Sequence, residues 1–239
     1  MKRLIVFLAA AAMSSASLFA GDFKDFIRRP EGGTHAVFFN SSGYGWNIGL
    51  DMPSSNVSLK SRFLSDMFWD IAGVKTYSRS GFFNFYTGIG LGYSSYRANP
   101  HSAFGFHPAT SGDLWVGTPL YCTPVRLGDS KVSALRNFYL YIPADFTFRI
   151  ARRVSIFAGI QGELNFKSWL VNESRASSLN AGWHRSKIEG LSNRQFTYSV
   201  KAGMMFSHFG FYVKYRPVTV FREDYGPQFK TMSVGFIFQ

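Results

Sequence analysis

Apolar and polar side chains alternate along most of the chain from residue 43 onward. Along 137–150, every even position is Phe, Leu, Ile or Ala, whereas the odd positions hold Asn, Tyr, Pro, Asp, Thr and Arg. Successive side chains of a β-strand point to opposite sides, so this period of two predicts a strand with one apolar and one mostly polar face. The same alternation recurs in 156–166, 196–206, 209–215 and 232–238, which a helical period fits less well.

This alternation predicts eight strands and the connections between them. The approximate strand bounds are 43–51, 65–77, 81–95, 136–150, 154–169, 195–206, 209–221 and 229–238. The short connections are 78–80, 151–153 and 207–208, and the long ones are 52–64, 96–135, 170–194 and 222–228. Because short and long connections alternate, all short turns fall at one end, as in outer-membrane barrels with periplasmic turns and extracellular loops. The predicted fold is all-β, a transmembrane antiparallel up-and-down β-barrel of eight strands.

Two further segments leave a ten-stranded barrel open as the alternative. Residues 34–40 and 113–121 each have the composition of a strand, and adding both would keep the number even. We interpret the first as part of a periplasmic lead-in, residues 21–42, and the second as structure within a long loop. The barrel domain is then predicted to span 43–239.

The first twenty residues predict export. Lys2 and Arg3 precede an apolar run at 4–12 and a stretch of small residues that ends at Ala20. This is the layout of a secretory signal peptide at 1–20, and the apolar run is too short to span a bilayer as a helix. The rest of the chain is aromatic-rich and has no apolar run of helix-spanning length, and only closed barrels cross membranes with strands. The expected location is the outer membrane of a Gram-negative bacterium.

Glycine placement predicts which face of the strands points inward. Ten glycines share the face that carries the charges: Gly43, Gly45, Gly49, Gly88, Gly90, Gly92, Gly159, Gly203, Gly210 and Gly235. The interior of an eight-stranded barrel is just wide enough to be filled by side chains, so glycines there make room for large neighbours such as Tyr139, Tyr141, Phe157 and Tyr212. On a water-facing surface they would only weaken the sheet. We therefore favour a polar lumen over an inverted, soluble barrel.

The inward face is expected to carry equal numbers of acids and bases. The acids are Asp51, Asp66, Asp70, Asp145 and Glu163, and the bases are Arg149, Lys167, Lys201, Lys214 and Arg216. Buried charges are costly unless paired, so this balance favours a salt-bridged plug over a gate or proton path. The candidate lumen network comprises Asp70, Asp145, Glu163, Arg149, Lys201, Lys214 and Arg216.

Within this network, two lysines are expected to face each other. Lys201 and Lys214 lie at similar distances from the turn at 207–208, on strands that the turn joins. Like charges so close together need acids, and Asp145 or Asp70 is the inward acid predicted at a similar depth.

Catalytic, metal and cofactor motifs are not evident. The five histidines fall in predicted loops, turns or the lead-in, and a loop set such as His107, Ser111 and Asp113 lacks the spacing of a known nucleophile and base. No His or Cys pair has metal-ligand spacing, and Cys122 is the only cysteine, so no intramolecular disulfide is possible. We expect no enzyme activity, no metal and no cofactor.

The second half of the chain resembles the small PorT-like outer-membrane β-barrel proteins of Bacteroidota. The residues that carry the resemblance are 139–146 (YLYIPADF), the hairpin partner 157–162 (FAGIQG) and 215–217 (YRP), within roughly 136–239. The chain departs from the pattern by ending in Gln239, where many such barrels end in Phe or Trp. The resemblance implies an outer-membrane barrel fold and insertion by the barrel-insertion machinery, but no mechanism.

Charge and location together suggest partners. The formal net charge of +12 includes Lys2 and Arg3 of the signal peptide. Because an exported protein rarely meets nucleic acid, the expected anionic partner is the phosphate of surface glycolipid, besides outer-membrane lipids and a protein or ligand at the loops. A basic, merely solvated surface is the alternative. The expected function is a non-enzymatic structural or surface-binding barrel; the alternatives are a porin-like small-solute channel and a lipid-modifying outer-membrane enzyme.

Overall fold

The computed structural model describes residues 33–50, 59–99, 102–106, 120–124, 130–175, 183–189, 191, 193–222 and 226–239. The predicted signal peptide, residues 21–32 of the predicted lead-in, and Asp51 lie outside the described residues. The described residues contain no helix that is long and apolar enough to cross a membrane.

Thirteen strands occur in the described residues. They are β1 (Gly33–Phe38), β2 (Ser42–Leu50), β3 (Leu59–Lys60), β4 (Phe63–Tyr77), β5 (Phe83–Ala98), β6 (Ser102–Phe106), β7 (Leu120–Pro124), β8 (Ser130–Ala151), β9 (Val154–Arg175), β10 (Trp183–Glu189), β11 (Phe196–Phe206), β12 (Phe209–Arg216) and β13 (Lys230–Phe238).

Eight of these strands close into a barrel. β2, β4, β5, β8, β9, β11, β12 and β13 pair antiparallel in chain order, and β13 returns to pair with β2. The β4–β5, β8–β9 and β11–β12 connections are short and lie at one end, which we call the turn end; the long connections lie at the other, the loop end. The prediction of an eight-stranded up-and-down barrel is confirmed.

Among the described residues, the barrel wall begins at Gly33 rather than at residue 43. β1 pairs with the last part of β4, while β2 pairs with its first part, so the two form one interrupted wall strand. Phe39, with a φ of 53°, lies at the interruption. Segment 34–40, interpreted as lead-in, is therefore largely wall, although it adds no strand to the ring. Alternation is weak there because Ala36, Val37, Phe38 and Phe39 are all apolar.

The loop end extends well beyond the ring. β8 and β9 are each 22 residues long, and β10 pairs with the outer part of β9. The hairpin β6–β7 forms a separate sheet. Phe104 anchors it, because its N–H donates to Ser133 Oγ (2.8 Å) and its carbonyl accepts from Asn172 Nδ2 (3.0 Å). We call β10, this hairpin and the outer parts of β8 and β9 the platform. Of the expected loop structure at 113–121, only the last two residues, in β7, are described.

The outward face of the ring is apolar. On β8 the exposed large side chains are Phe138, Leu140, Ile142, Phe146, Phe148 and Ile150. The alternate residues Tyr139, Tyr141 and Asp145 are buried in the lumen. On β12 and β13, outward rings also contact each other across the strands, with Phe211 and Phe236 centroids 5.3 Å apart. The polar face of the alternation therefore lines the lumen.

Gly235→Val tests the closure of the ring. Gly235 and Gly45 pair where β13 meets β2, and a Cβ at 235 would overlap the Tyr44 carbonyl and the Gly45 Cα. Because backbone cannot move aside as a side chain can, we expect a loss of at least about 1–3 kcal/mol in the free energy of unfolding. The measurement is urea unfolding in lipid vesicles.

The matched control is Gly162→Val. Gly162 is an outward-facing strand glycine, and nothing lies within 4 Å of the position its Cβ would take. We expect this variant to be as stable as the wild type or more so, because valine favours strands. Equal stability of both variants would show that β13 and β2 are not packed as described.

Candidate functional site

Three buried ion pairs lie in the lumen among the residues that the structure describes. Lys201 Nζ lies 2.9 Å from Asp145, Lys214 Nζ lies 2.6 Å from Asp66, and Arg216 Nη2 lies 2.5 Å from Glu163. The lysine side chains are only 1% and 2% exposed. Each pair joins two strands, namely β8 with β11, β4 with β12, and β9 with β12. The first and third pairs each bridge one intervening strand and the second bridges two, so the pairs tie non-adjacent wall strands together as well as neutralising one another's charge.

Strand register explains the pair nearest the turn end. Lys201 is the register partner of Lys214 on one side and of Gly159 on the other, and Gly159 is the register partner of Asp145. A Cβ at position 159 would overlap Asp145 Oδ1. The absence of a side chain at Gly159 therefore allows Asp145 to reach across one strand to Lys201.

The ring of Phe68 lies beside the ammonium groups of the two facing lysines. Its centroid is 4.9 Å from Lys201 Nζ and 5.6 Å from Lys214 Nζ, within the range of cation–π attraction. Phe68 is completely buried and contacts the ring of Tyr212 edge-on at 5.2 Å. It fits because a Cβ at Gly43, its register partner on β2, would occupy the same space.

Asp66 forms the centre of the lumen network. Its carboxylate accepts hydrogen bonds from Lys214 Nζ (2.6 Å), the Tyr212 hydroxyl (2.8 Å) and Ser94 Oγ (3.5 Å). Lys214 also donates to the Tyr139 hydroxyl at 3.1 Å. Because burial strengthens such bonds and penalises unmade ones, this saturated carboxylate fixes β4 against β12.

Glu163 has even more partners. Arg216 donates to Oε2 through Nε (2.8 Å) and Nη2 (2.5 Å), and Arg216 Nη1 donates to the Tyr96 hydroxyl. Three uncharged side chains complete the shell around this carboxylate: Gln161 (2.8 Å), Ser199 (2.8 Å) and Thr197 (3.0 Å). Charge-assisted bonds of this kind are roughly twice as strong as neutral ones, so this layer is well suited to hold β9, β11 and β12 together.

Asp70 belongs to the lumen network through hydroxyl and amide groups. It accepts from Ser41 Oγ (2.6 Å), Asn40 Nδ2 (3.2 Å) and the Tyr141 hydroxyl (2.6 Å). Ser41 and Asn40 lie at the interruption between β1 and β2, whereas Tyr141 is on β8. Asp70 on β4 therefore ties the interrupted wall strand to β8.

Two predicted lumen bases lie elsewhere. Arg149 is exposed near the turn end, where the β8–β9 register shifts between Arg149 and Ala151, and it takes no part in the buried network. Lys167 is also exposed, on the outer face, because a second register shift reverses the alternation. The observed lumen network also includes two residues outside the candidate set. These are Asp66, which was among the expected inward acids, and Phe68. Both residues alternate with Asp70 along β4, and this spacing in the sequence places all three on the inward face.

The turn-end pair is less completely bonded than the other two. Lys201 Nζ is paired with Asp145 Oδ2 at 2.9 Å and has no second hydrogen bond to a described residue, while Asp145 Oδ1 and the buried Tyr86 hydroxyl have none. Buried polar atoms without hydrogen bonds lower stability. We infer that the lumen is held more firmly near the loop end than near the turn end.

An apolar cluster covers the network at the loop end. Its buried members are Tyr96, Ala98, Phe104, Leu135, Leu170, Val220, Phe221 and Phe229. Phe104 comes from the β6–β7 hairpin, and Val220 and Phe221 come from the β12–β13 connection, so two loops reach over the ring. Arg194 Nε donates to the Phe221 carbonyl at 3.2 Å and holds that connection in place.

Candidate catalytic and metal-binding residues are not brought together in the described part of the chain. His35 is on β1 and His208 is in the β11–β12 turn, at positions far from the buried network; His101, His107, Ser111 and Asp113 lie outside the described residues. Among the residues described, no three His, Cys, Asp or Glu side chains are grouped to hold a metal ion.

The sequence matches no family model and no curated protein. Among solved structures, the chain is similar to Ail, the attachment invasion locus protein of Yersinia pestis, at 14% identity and a TM-score of 0.31, covering 87% of this chain and 98% of that one. Ail in complex with the heparin analogue sucrose octasulfate gives 13% identity and a TM-score of 0.29 at the same coverage. Likeness this distant carries no functional information for the present chain.

Asp145→Ala tests the coupling of the turn-end pair. Removing the carboxylate leaves Lys201 buried without its partner, so we expect a loss of about 3 kcal/mol in the free energy of unfolding. Lys201→Met in the same chain should restore part of this loss, because it removes the orphaned charge. The measurement is urea unfolding in lipid vesicles of both single variants and the double variant.

The matched control uses the Glu163 layer. Lys201→Met should not rescue Glu163→Ala, whereas Arg216→Met should, because each base compensates only its own acid. If the effects of Asp145→Ala and Lys201→Met are simply additive, these two residues are not coupled and the lumen is not organised in the layers described.

Proposed function

We propose that this chain is a non-enzymatic outer-membrane β-barrel, closed by its own side chains, that binds a partner at the cell surface through its loop end. One observation carries the proposal: the ring is apolar outside and filled with paired charges inside. A soluble barrel has the opposite arrangement, since its apolar side chains must be sheltered from water.

The height of the apolar surface supports a membrane setting. The outward side chains of β8 are apolar from Phe138 to Ile150. At about 3.3 Å per residue and the tilt of about 40° usual in such barrels, this run spans roughly 30 Å, which matches the hydrocarbon core of a bilayer. A barrel satisfies all its backbone groups by pairing and can therefore lie in that core.

The proposed route to the outer membrane rests on the sequence. A signal peptide at 1–20 would direct export, residues 21–32 would remain in the periplasm, and the barrel-insertion machinery would place the ring. The likeness of 136–239 to PorT-like barrels of Bacteroidota agrees with this route.

The platform supports a role in surface binding. β8 and β9 continue past the apolar surface, and β10 and the β6–β7 hairpin are fixed to them by strand pairing and by the bonds of Phe104. A surface that is ordered before its partner arrives loses less conformational entropy on binding. Long loops on such a base are suited to recognise a protein or glycan ligand outside the cell.

A small-solute channel is the second candidate function. The intramembrane charges favour it, because such residues often mark an ion or proton path. The fully buried side chains of Phe68, Tyr139, Tyr141, Lys201 and Lys214 argue against an open path at this depth. A lipid-modifying enzyme ranks third, because the described residues supply no nucleophile with a histidine base.

Location and polarity are tested together in cells. In a Cys122→Ser background, a membrane-impermeant maleimide should label Lys187→Cys on intact cells, because Lys187 is exposed on β10 at the loop end. Ser207→Cys, in the turn of β11–β12, is the control and should react only after the outer membrane is opened. The protein should also migrate faster on gels unheated than boiled.

Recovery of the unheated protein in the soluble periplasmic fraction would refute the membrane location. Labelling of Ser207→Cys alone on intact cells would instead leave the barrel in place and reverse its orientation.

Conductance separates the closed barrel from a channel. The wild-type protein in planar bilayers should give no ion-conducting events, because paired charges and the apolar cluster fill the lumen. Asp145→Ala should also stay closed, since the Asp66 and Glu163 layers remain. Regular single-channel steps from the wild type, or from Asp145→Ala with unchanged stability, would favour the channel.

A further inference from the structure

Lys167 is a cation on the outer face of the barrel, at the loop-end limit of its apolar surface. Its register partner is Phe138, the last of the outward apolar residues of β8 on that side. Phe166 is 54% exposed beside it, and Phe138 stacks between Phe166 and Trp169 at centroid distances of 6.4 and 5.4 Å. Aromatic side chains at this height are typical of the headgroup level of a bilayer.

A bulge in β9 is responsible for this outward position. Phe138 pairs with Lys167 and the next residue, Tyr139, pairs with Asn165, so Phe166 is the extra residue. Continued alternation from the buried Glu163 would have placed Lys167 in the lumen. Bulges often serve to redirect a side chain, and here the redirected group is a cation beside lipid.

We call a set of register partners on neighbouring strands a row. Arg136 lies two residues before Phe138 on β8, in the next row away from the apolar surface. It pairs with Trp169 on β9, it is partly buried, and its Nε has no hydrogen bond to a described residue. In the next row, Arg97 pairs with Ala134, and Lys187 pairs with Val171 while its ammonium group lies 5.6 Å from the ring of Trp169. Cations therefore occupy three successive rows across four neighbouring strands.

The electrostatic setting favours an anion. The salt bridges among the described residues include neither Lys167 nor Arg136. The four cations outnumber the acids of these rows, because Glu189 pairs with Trp169 and Glu173 is one row farther from the apolar surface, paired with Val132. A cation at the edge of hydrocarbon is stable where it reaches water or a phosphate headgroup. Arginine can bind a phosphate through two parallel hydrogen bonds, and lysine supplies a compact point charge.

We propose that Lys167 and Arg136 form a binding site for a phosphate group of an anionic glycolipid in the outer leaflet, with Phe138 and Trp169 packed beside the lipid. This inference rests on the proposed outer-membrane location. The bulge at Phe166 places Lys167 in this outer site instead of in the lumen.

Native mass spectrometry of the refolded full-length mature chain in detergent micelles tests the site. The probes are diphosphorylated lipid A, the same lipid with both phosphates removed, and a neutral phospholipid. Wild type should retain diphosphorylated lipid A selectively. Lys167→Gln with Arg136→Gln should weaken retention roughly tenfold or more, the expected effect of losing hydrogen bonds to a charged group.

Arg149→Gln is the matched control, because Arg149 is an exposed cation at the turn end and should not affect retention. Single Lys167→Glu provides a second variant, in which charge reversal should abolish selectivity for the phosphorylated lipid. Inorganic phosphate at the same concentration as the lipid should not displace it, since only the lipid also packs beside Phe138 and Trp169. Faster migration of each unheated variant on gels shows that it has folded.

Equal retention of phosphorylated and dephosphorylated lipid A by folded wild type would overturn the site but leave the barrel's proposed location intact. Unchanged retention by the folded double variant, or displacement by inorganic phosphate alone, would do the same. A chain recovered as a soluble periplasmic protein would overturn both the location and the site.

Discussion

The narrowness of an eight-stranded ring is the constraint on which the rest of this structure depends. Such a lumen has space for side chains but little else, so every inward residue must fit its neighbours and satisfy its own polar atoms. Large rings therefore face glycines: Tyr141 lies against Gly90, and Tyr139 against Gly92. Strand register brings Lys201 and Lys214 together inside this space, and acids from β4 and β8 offset their repulsion.

These demands explain why the lumen is layered rather than uniformly polar. Near the loop end, Glu163 and Arg216 are surrounded by hydroxyl and amide donors and lie beneath an apolar cluster. Near the turn end, Asp145 and Lys201 have fewer hydrogen bonds. A buried pair with incomplete bonding contributes less net stability, because the desolvation of its charges is only partly offset. The two ends of one barrel can therefore differ in rigidity although their charge content is similar.

Much of this arrangement could be predicted from sequence, because a period of two and the alternation of short and long connections depend only on local residues. The pairing of Lys201 with Lys214 across a two-residue turn followed from the same local counting. The partner of Lys214 did not, because strand tilt determines which distant acid reaches a given depth, and Asp66 rather than Asp145 or Asp70 is in that place. Lys167 was placed inside because a bulge has no reliable signature within an alternating segment. Residues 34–40 are predicted as lead-in rather than barrel wall because the consecutive apolar residues 36–39 hide the alternation of β1.

The bond between Lys214 and Asp66 joins residues 148 positions apart in the chain. Contacts of such long range form late, because nearly the whole ring must be assembled before either partner is within reach. Before β12 joins the ring, Asp66 on β4 has no cationic partner and its carboxylate remains hydrated. The inner face of β4 is therefore not yet fully paired when that strand reaches hydrocarbon. Entry of the charged interior into the bilayer is therefore expected to be concerted, with the first and last strands meeting at nearly the same time as the lumen loses its water. At the proposed outer-membrane location, a chain built in this way would gain little from inserting hairpin by hairpin, which agrees with the proposed use of barrel-insertion machinery.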